Sequence, residues 1–481
     1  MNFIAKEKKY WWLLPLLFTL LIIVLLYSKN ISFDLIHFKK EKKLLHDIFI
    51  LFVVLTPLLL LRFFDNWKQS DYKKILSTGI ASLLISFNFS THLFFQISSF
   101  FAITTIVYFI IEKKVYRPNL FQILLFVYFG ICTSSLLWTS NVTLGLKYLR
   151  SLTPLVYIPL LFCFFNLSRR DFEMIALFLF RFSIIFAFIT ICSWIVESRF
   201  LNFPLENSLI AKKYSINIYN SYDVVYAWSN QIHPTYNAIS LLFSLSVGWY
   251  FIFKRNVKDG ISYFELIFVI FTTLLIVVIS ASRFMFVEWV FVNTAGFLYS
   301  VRKKRNLFII STSSVIILGI SLLFSFSAKV DSFINDPVRD CHYNAAFQSI
   351  KENPLLGTGL GGMTKYINIK NSVYAPLNLQ SNAEFPHIHP HNQIIGDLMQ
   401  TGVMGLITIL LILGVLFFYS IKYRNWLLLI NTITFLMLMN IEMPLMYLAG
   451  IFSFGVILNF LLKKESNSKV LLDFNKNRIE A

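Results

Sequence analysis

Charged residues and cysteines are both scarce in this sequence. Only 14% of its 481 residues are charged, 57% are hydrophobic, and the mean hydropathy is +0.66. A soluble protein of this length exposes far more charge, so the composition excludes a soluble globular protein and indicates a membrane protein. The 4 cysteines show no disulfide-framework or zinc-finger spacing, and three of them, Cys132, Cys163 and Cys192, lie inside apolar runs. Cysteine therefore gives no functional signal.

Apolar runs long enough to cross roughly 30 Å of hydrocarbon recur along most of the chain. We count about 14, of which about 12 meet this length criterion well. Only helices and closed barrels satisfy their backbone in lipid, so we predict an all-α fold, a polytopic transmembrane helix bundle of about 12–14 spans. The first run is interpreted as a retained span, because no cleavage-site pattern follows it. The runs are Tyr10–Tyr27, Leu44–Phe64, Ile75–Phe89, Leu93–Ile111, Leu120–Leu137, Leu152–Phe165, Phe172–Val196, Thr235–Phe253, Phe264–Ser280, Phe284–Val301, Leu307–Phe326, Val403–Ile421, Trp426–Ile441 and Leu445–Leu462.

Acidic residues are outnumbered, with 25 Asp and Glu against 43 Lys and Arg and a net charge of +18. If the spans alternate, most basic clusters fall on one side of the membrane, which the positive-inside rule makes cytoplasmic, together with both termini. One cluster, Lys39-Lys40 with Lys42-Lys43, falls on the other side. The basicity is therefore mainly a topological signal, and no nucleic-acid partner is predicted. The agreeing clusters are Arg169-Arg170, Lys254-Arg255, Arg302 to Arg305, Lys422 with Arg424, and Lys463-Lys464.

Two polar segments interrupt the spans, and both fall outside. The larger, Ser327 to His391, is predicted to be the catalytic or binding module, because long loops in compact proteins are usually functional or disordered. Inside it, Arg339–Glu352 is predicted to form a short amphipathic helix that ends at Asn353-Pro354. The predicted divisions are N-terminal spans in 1–118, core spans in 119–326 with an outer loop at 197–234, the large loop in 327–392, C-terminal spans in 393–464 and a cytoplasmic tail in 465–481.

The glycine-rich stretch from Leu355 to Gly362 matches no nucleotide-binding motif. It lacks the Gly-Lys-Ser/Thr ending of a P-loop, and no strand–turn–helix unit surrounds it. We interpret Gly357 and Gly359 as structural residues that let the backbone fold tightly against the bundle. A phosphate cradle is the alternative.

A histidine string near the C-terminus carries the most specific signal. His391-Asn392 is followed by nine residues and then by Gly402 and Gly405. If one helix continues through the string, Gly402 lies about 20° from His391 around the axis, and Gly405 about 40° to the other side. Histidine titrates near neutral pH, so at a headgroup surface it suits work on a lipid-linked substrate. The alternative is that the glycines form only a packing seam and His391 is a hydrated loop residue.

Two arginines also fall on the outer side. Arg283 separates two apolar runs, where it either reaches for lipid headgroups or clamps an anion through bidentate guanidinium contacts. Arg339 lies at the start of the predicted loop helix. It becomes a functional candidate because a second arginine and the histidine string fall on the same side of the membrane. Charges inside predicted spans are functional hypotheses, since burial in lipid is costly, and Glu288 is one turn from Arg283 and suited to pair with it. These charges are Asp47, Arg181, Glu288, Asp397 and Glu442.

Three alternate histidines, His387, His389 and His391, would share one face of an extended segment and suggest a metal site. No cysteine lies nearby, and Glu384 is the only close carboxylate. We therefore predict no metal and no other cofactor.

These residues resemble the O-antigen ligase / O-antigen polymerase superfamily of bacterial envelope glycosyltransferases. The resemblance rests on His391-Asn392 with Gly402, Gly405 and Leu406, on Ser282-Arg283, on Arg339 ahead of Asn353 to Gly359, and on His233 to Tyr236. It covers roughly residues 120 to 460. One departure is Gln400-Thr401, where many relatives carry an acid before the first glycine, so a carboxylate role there is doubtful.

The resemblance implies a multi-pass protein of the bacterial inner membrane whose active site, on a large periplasmic loop, faces the periplasm among membrane lipids. It implies a glycosyltransferase whose donor is an undecaprenyl-pyrophosphate-linked glycan, acting by inversion. His391, Arg283 and Arg339 are then the catalytic residues, the arginines clamping pyrophosphate and His391 serving as general base or positioning partner. Substrate binding is expected from Asn392, His389, His233 and Tyr236, and a structural role from Gly402, Gly405, Gly357 and Gly359.

The acceptor stays open at this level. Lipid A–core would make the enzyme an O-antigen ligase, which the histidine string favours. A second lipid-linked glycan would make it a polymerase, and a protein serine or threonine a protein O-oligosaccharyltransferase. A transporter of the same lipid-linked glycans is an alternative of another class, which we disfavour because neither internal repeats nor broken helices are evident in the sequence.

Overall fold

The computed structural model describes residues 71–85, 91–200, 234–253, 261–279, 283–302, 337–363, 366–368, 389–463 and 470–473. These residues are mostly helical, which confirms the predicted all-α class, and their strands are one short pair. The elements are α1 (Asp71–Ile85), α2 (Thr91–Glu112), β1 (Lys114–Tyr116), α3 (Leu120–Ser134), α4 (Val142–Leu152), α5 (Pro154–Phe162), α6 (Arg169–Phe200), α7 (Pro234–Phe253), α8 (Tyr263–Ile279), α9 (Arg283–Val301), α10 (Pro337–Glu352), α11 (Gln393–Lys422), α12 (Trp426–Met439), α13 (Leu448–Lys463) and β2 (Val470–Asp473), with 3-10 turns at Ser135–Leu137 and Pro444–Met446.

Most predicted apolar runs coincide with helices to within a few residues. Two runs differ: Leu152–Phe165 holds only the short helix α5, preceded by the additional helix α4, and Val403–Ile421 is part of the longer helix α11. Two described stretches, Leu120–Leu137 and Gln393–Lys422, are long and apolar enough to cross a membrane, and shorter apolar helices accompany them. The predicted runs Tyr10–Tyr27, Leu44–Phe64 and Leu307–Phe326 lie outside the described residues. The number of spans and the large outer loop therefore stay predictions.

The chain divides into two compact units, and the first comprises residues 1–114, 167–289 and 473–481. In it α6 packs against α1, α7 and α8. Arg181 on α6 forms an ion pair with Glu265 in the first turn of α8, with 3.3 Å between Nε and Oε1. Glu265 also accepts the Ser262 backbone N–H at 2.7 Å, and Ser262 caps the helix in return. This pairing gives the partly buried charge of Arg181 a structural explanation.

The second unit comprises residues 115–166 and 290–472 and is built around α13. Every residue of α13 from Ala449 to Lys463 is buried, as expected of a helix that is apolar on all sides. Helices α4, α5 and α12 pack against it. Among its few polar groups, Asn459 accepts a hydrogen bond of 2.9 Å from the Gln122 amide on α3, which fixes α3 against the same core.

Helix α11 begins ten residues before the predicted span and is interrupted at Gly402. Gly402 has φ 65° and ψ −161°, a conformation essentially reserved for glycine. The angular relation of Gly402 and Gly405 to His391 assumed an unbroken helix, and that assumption is wrong. Gly402 is where the helix stops and restarts.

The glycine-rich loop after α10 caps this interruption. The N–H groups of Thr358 and Gly359 donate to the carbonyls of Met399 and Gln400, both at 2.9 Å, while the Val403 N–H donates to the Pro354 carbonyl at 3.2 Å. Backbone groups at a break need such partners, because unpaired buried ones are costly. Loop and helix approach so closely that a Cβ on Gly357, itself at φ 68°, would lie 2.6 Å from the Gln400 carbonyl.

We predict that Gly402→Ala destabilises the protein, because alanine is strained in this conformation and its Cβ would lie 2.8 Å from the Gly357 nitrogen. The backbone conformation alone costs about 1–3 kcal/mol. The measurement is the midpoint of thermal unfolding in detergent. Gly414→Ala is the matched control on the same helix, since nothing lies within 4 Å of a Cβ there. Equal midpoints for the two variants would contradict the prediction.

Candidate functional site

His391 sits at the turn that starts α11. Its φ is 50°, in the left-handed region that non-glycine residues rarely adopt. Asn392 is the N-cap, and its side-chain oxygen accepts the Ile395 N–H at 3.0 Å while its amide donates to the Asn440 carbonyl at 3.2 Å. The first bond caps α11, and the second ties the start of the helix, next to His391, to the turn after α12.

Glu442 is the acidic partner of His391. The distance between His391 Nδ1 and Glu442 Oε2 is 3.3 Å, and the two side chains are 21% and 15% exposed. Glu442 lies in the turn between α12 and the 3-10 turn at Pro444–Met446. A carboxylate at Nδ1 favours the tautomer that carries its proton there, which gives Nε2 the lone pair of a base.

Two further histidines complete what we call the histidine cluster, formed by His342, His389 and His391. The ring centroids of His389 and His391 are 4.4 Å apart, and those of His342 and His391 are 5.2 Å apart. Each added histidine has a tyrosine partner: His389 Nε2 lies 2.5 Å from the Tyr447 hydroxyl, and His342 Nδ1 is hydrogen-bonded to the Tyr366 hydroxyl. The cluster therefore joins α10, the segment before α11 and the start of α13.

Arg339 approaches this cluster through α10. It lies one helical turn before His342 on the same helix and is half-buried. Farther along, Ala345, Ala346 and Ile350 pack with Met399 of α11 in one apolar core. This packing sets α10 against the first half of α11, so Arg339 and His391 are presented by neighbouring elements.

A second polar group lies deeper, between α3 and α11. The Tyr128 hydroxyl and the Gln393 amide both donate to Asp397 Oδ1, at 2.8 and 2.9 Å, and Gln393 Oε1 accepts the Leu445 N–H at 2.9 Å. Asp397 is buried, and among the described residues its Oδ2 has no hydrogen-bond partner. Asp397, Gln400 and Tyr128 line a cavity of about 10 Å³, which has room for about one water molecule.

The structure brings together some of the predicted site residues and not others. His389, His391 and Asn392 meet at the cluster, and Arg339 lies one helical turn before its third histidine, His342. Arg283 begins α9, Tyr236 lies in the first turn of α7, and His233 is outside the described residues. Glu288 is fully buried, and neither of its carboxylate oxygens has a hydrogen-bond partner in the described part of the chain. Its pairing with Arg283 stays a prediction.

Sequence reasoning missed three members of the site and the role of a fourth. His342, Tyr366 and Tyr447 were not selected, although His342 follows Arg339 at helical spacing, a signal that was available. Glu442 was selected only as a charge in an apolar region, since nothing in the sequence links residues 51 positions apart. His387 of the suggested metal trio lies outside the described residues, and among those described no group of three or more His, Cys, Asp or Glu residues is suited to a metal ion.

Comparison with known proteins gives one family match. Residues 268–410 match the family described as O-Antigen ligase, a segment that contains Arg283, Arg339, His391 and the interruption at Gly402 but ends before Glu442. No curated protein matches the chain significantly. The match is shorter than the resemblance predicted for residues 120 to 460, and it includes the histidine string and both arginines. It confirms that this chain carries the domain of the O-antigen ligase superfamily, a family of membrane-embedded enzymes of the ligase and polymerase type.

Proposed function

We propose that this protein is an O-antigen ligase that transfers a glycan from undecaprenyl pyrophosphate to lipid A–core at the periplasmic face of the bacterial inner membrane. The observation that carries the proposal is the pairing of His391 with Glu442 at the start of α11. A base with an acidic orienting partner is the arrangement that activates a hydroxyl nucleophile. Helix α10, whose His342 contacts His391, also carries Arg339 one turn earlier, and an arginine suits an anionic leaving group.

The length of α11 supports a site at the membrane surface. At 1.5 Å per residue, the 20 residues after Gly402 extend about 30 Å, which is enough to cross the hydrocarbon core. The half-helix before Gly402 then projects beyond one face, with His391 at its outer end. A lipid-linked donor has its pyrophosphate at this depth, because the phosphates stay with the headgroups while the chain enters the hydrocarbon.

In the proposed reaction, Nε2 of His391 takes the proton of the acceptor hydroxyl as that oxygen attacks the anomeric carbon. The bond between the anomeric carbon and the pyrophosphate oxygen breaks, and its electron pair leaves with undecaprenyl pyrophosphate. A single displacement inverts the anomeric centre. The pyrophosphate leaving group supplies the driving force, so we propose neither a nucleotide cofactor nor a metal.

Arg339 and Arg283 are the proposed pyrophosphate clamp. Negative charge grows on the leaving oxygen during the reaction, next to low-dielectric lipid. Donors already in place for that charge lower the barrier more than they would in water. Arg283 enters this proposal from the sequence string Ser282-Arg283, which lies inside the matched family segment.

Two other functions remain alternatives to the ligase. A polymerase or a protein O-oligosaccharyltransferase would use the same donor and the same base, and only the acceptor distinguishes them. A transporter gains one feature from the structure, since α11 is broken at Gly402 and broken helices are typical of transporters. Here, however, the glycine-rich loop occupies the break and bonds both half-helices, so the freed backbone groups serve loop packing instead of a substrate.

We predict that His391→Ala lowers glycan transfer at least about 100-fold, the usual share of a general base. The assay uses purified protein in detergent with an undecaprenyl-pyrophosphate oligosaccharide, and lipid A–core or a second lipid-linked oligosaccharide in separate reactions. Transfer to lipid A–core that the substitution abolishes supports the ligase. Chain growth on the second acceptor makes the protein a polymerase instead, and full transfer by the variant would refute the role of His391.

Glu442→Gln is predicted to slow transfer about tenfold. Glutamine keeps the shape but removes the charge, and a charge-assisted hydrogen bond exceeds a neutral one by about 1–1.5 kcal/mol, which corresponds to about tenfold in rate. The turnover number is measured at saturating donor and acceptor. Combining Glu442→Gln with His391→Ala should add nothing further. Independent, multiplying effects would mean that Glu442 does not act through His391.

Arg339→Lys tests the anion clamp, because lysine keeps the charge but loses the bidentate geometry. We expect kcat/KM for the donor to fall about tenfold, and about 100-fold or more in Arg339→Ala. The exposed Arg117 provides the matched control, as Arg117→Ala removes a surface arginine from the same unit. Equal activity of the lysine variant and the wild type would show that charge alone is needed at this position.

A further inference from the structure

A second histidine faces His391 from the neighbouring helix, and neither the proposed chemistry nor the family match assigns it a role. His342 on α10 is only 3% exposed, and its ring meets that of His391 at 5.2 Å with an interplanar angle of 74°. This is an edge-to-face contact, the arrangement that aromatic rings prefer. This contact restricts both the orientation of the His391 ring and its distance from His342.

His342 is itself positioned by a hydrogen bond with Tyr366. Its Nδ1 is hydrogen-bonded to the hydroxyl of Tyr366, which is fully buried in the apolar core that also contains Ala345, Ala346 and Met399. A buried imidazole in apolar surroundings is costly unless it is bonded, so the tyrosine hydroxyl makes this placement possible. The bond also limits rotation of the His342 ring, and the two rings are nearly parallel to each other, with 26° between their planes.

Each imidazole of the cluster has a polar partner among the described residues. Glu442 lies at His391, while the tyrosine hydroxyls of Tyr366 and Tyr447 serve His342 and His389. The His391 ring therefore has an ionic partner at Nδ1 and an aromatic neighbour in His342, which together limit its position.

We propose that His342, anchored by Tyr366, is a positioning residue that orients the imidazole of His391 toward the acceptor hydroxyl. The inference rests on the proposed role of His391 as the base. His342 is 3% exposed, and its described contact with His391 is between the two rings. Its effect should therefore appear in the turnover number and depend on the presence of a ring.

Four variants test this proposal, each assayed for kcat and donor KM in the glycan-transfer reaction. His342→Ala removes the ring, and we expect kcat to fall about 10- to 100-fold at unchanged KM, the size typical of a misplaced catalytic group. His342→Phe restores a ring and should recover kcat to within about threefold of the wild type. Tyr366→Phe removes only the anchoring hydroxyl and should lower kcat about threefold. Ser349→Ala is the control, since it lies on the same helix, is buried and has no hydrogen-bond partner for its hydroxyl among the described residues.

The pattern separates the competing explanations. Equal losses in His342→Ala and His342→Phe would overturn the proposal, because the nitrogens and not the ring would then matter. A raised KM at unchanged kcat would overturn it as well, by making His342 a ligand of the donor. If His342→Ala does not fold, as judged by its thermal unfolding in detergent, the kcat values of His342→Phe and Tyr366→Phe still test the proposal. Both should lie within about threefold of the wild-type kcat, and a larger loss in His342→Phe would overturn the proposal. A parallel His391→Ala that retains transfer would defeat the proposed function itself, whereas wild-type activity of His342→Ala beside an inactive His391→Ala would defeat only this inference.

Discussion

The interruption of α11 at Gly402 is the constraint on which the rest of the second unit depends. An α-helix that stops and restarts leaves carbonyls without partners on one side and N–H groups without partners on the other. In poorly hydrated surroundings these groups must be bonded within the protein. The glycine-rich loop supplies both sets through Thr358, Gly359 and Pro354, and it does so only because Gly357 and Gly402 let two backbones nearly touch.

The contact between the glycine-rich loop and the break in α11 also determines the position of the histidine cluster. The loop that fills the break is the direct continuation of α10, so seating it on α11 also fixes where α10 ends, and the apolar contacts of Ala346 and Ile350 fix its direction. Arg339 and His342 are therefore carried to the start of α11 by a helix that is anchored at its other end. Placing catalytic groups on anchored helices keeps their geometry tighter than loops alone would allow. The seating of the loop at Gly402 and the placement of His342 on α10 therefore depend on each other.

Much of the fold and part of the site could be predicted from the sequence. Apolar run length determines where helices lie, and α10 was located from its amphipathic pattern and its terminating Asn353-Pro354. Local periodicity cannot report a break whose partner is a loop 41 to 49 positions earlier, so it predicts no more than a packing role for Gly402. The same limit hid the link between His391 and Glu442. Histidine strings mark the site because they are local, whereas the residues that orient His391 come from other elements and are visible only once the chain is folded.

Asp397 shows how a buried carboxylate in such a site can be structural. The family acid expected near Gln400 is absent, and Asp397 lies one turn earlier on the same half-helix, where it accepts from Tyr128 and Gln393. Gln393 in turn accepts the Leu445 N–H, so this one carboxylate connects α3, α11 and the turn that carries Glu442. Asp397 also lines a cavity that fits about one water, and a water there would suit the carboxylate oxygen that has no partner among the described residues. Asp397 therefore has a structural role, because its hydrogen bonds set the spacing between the first half of α11 and the turn that carries Glu442.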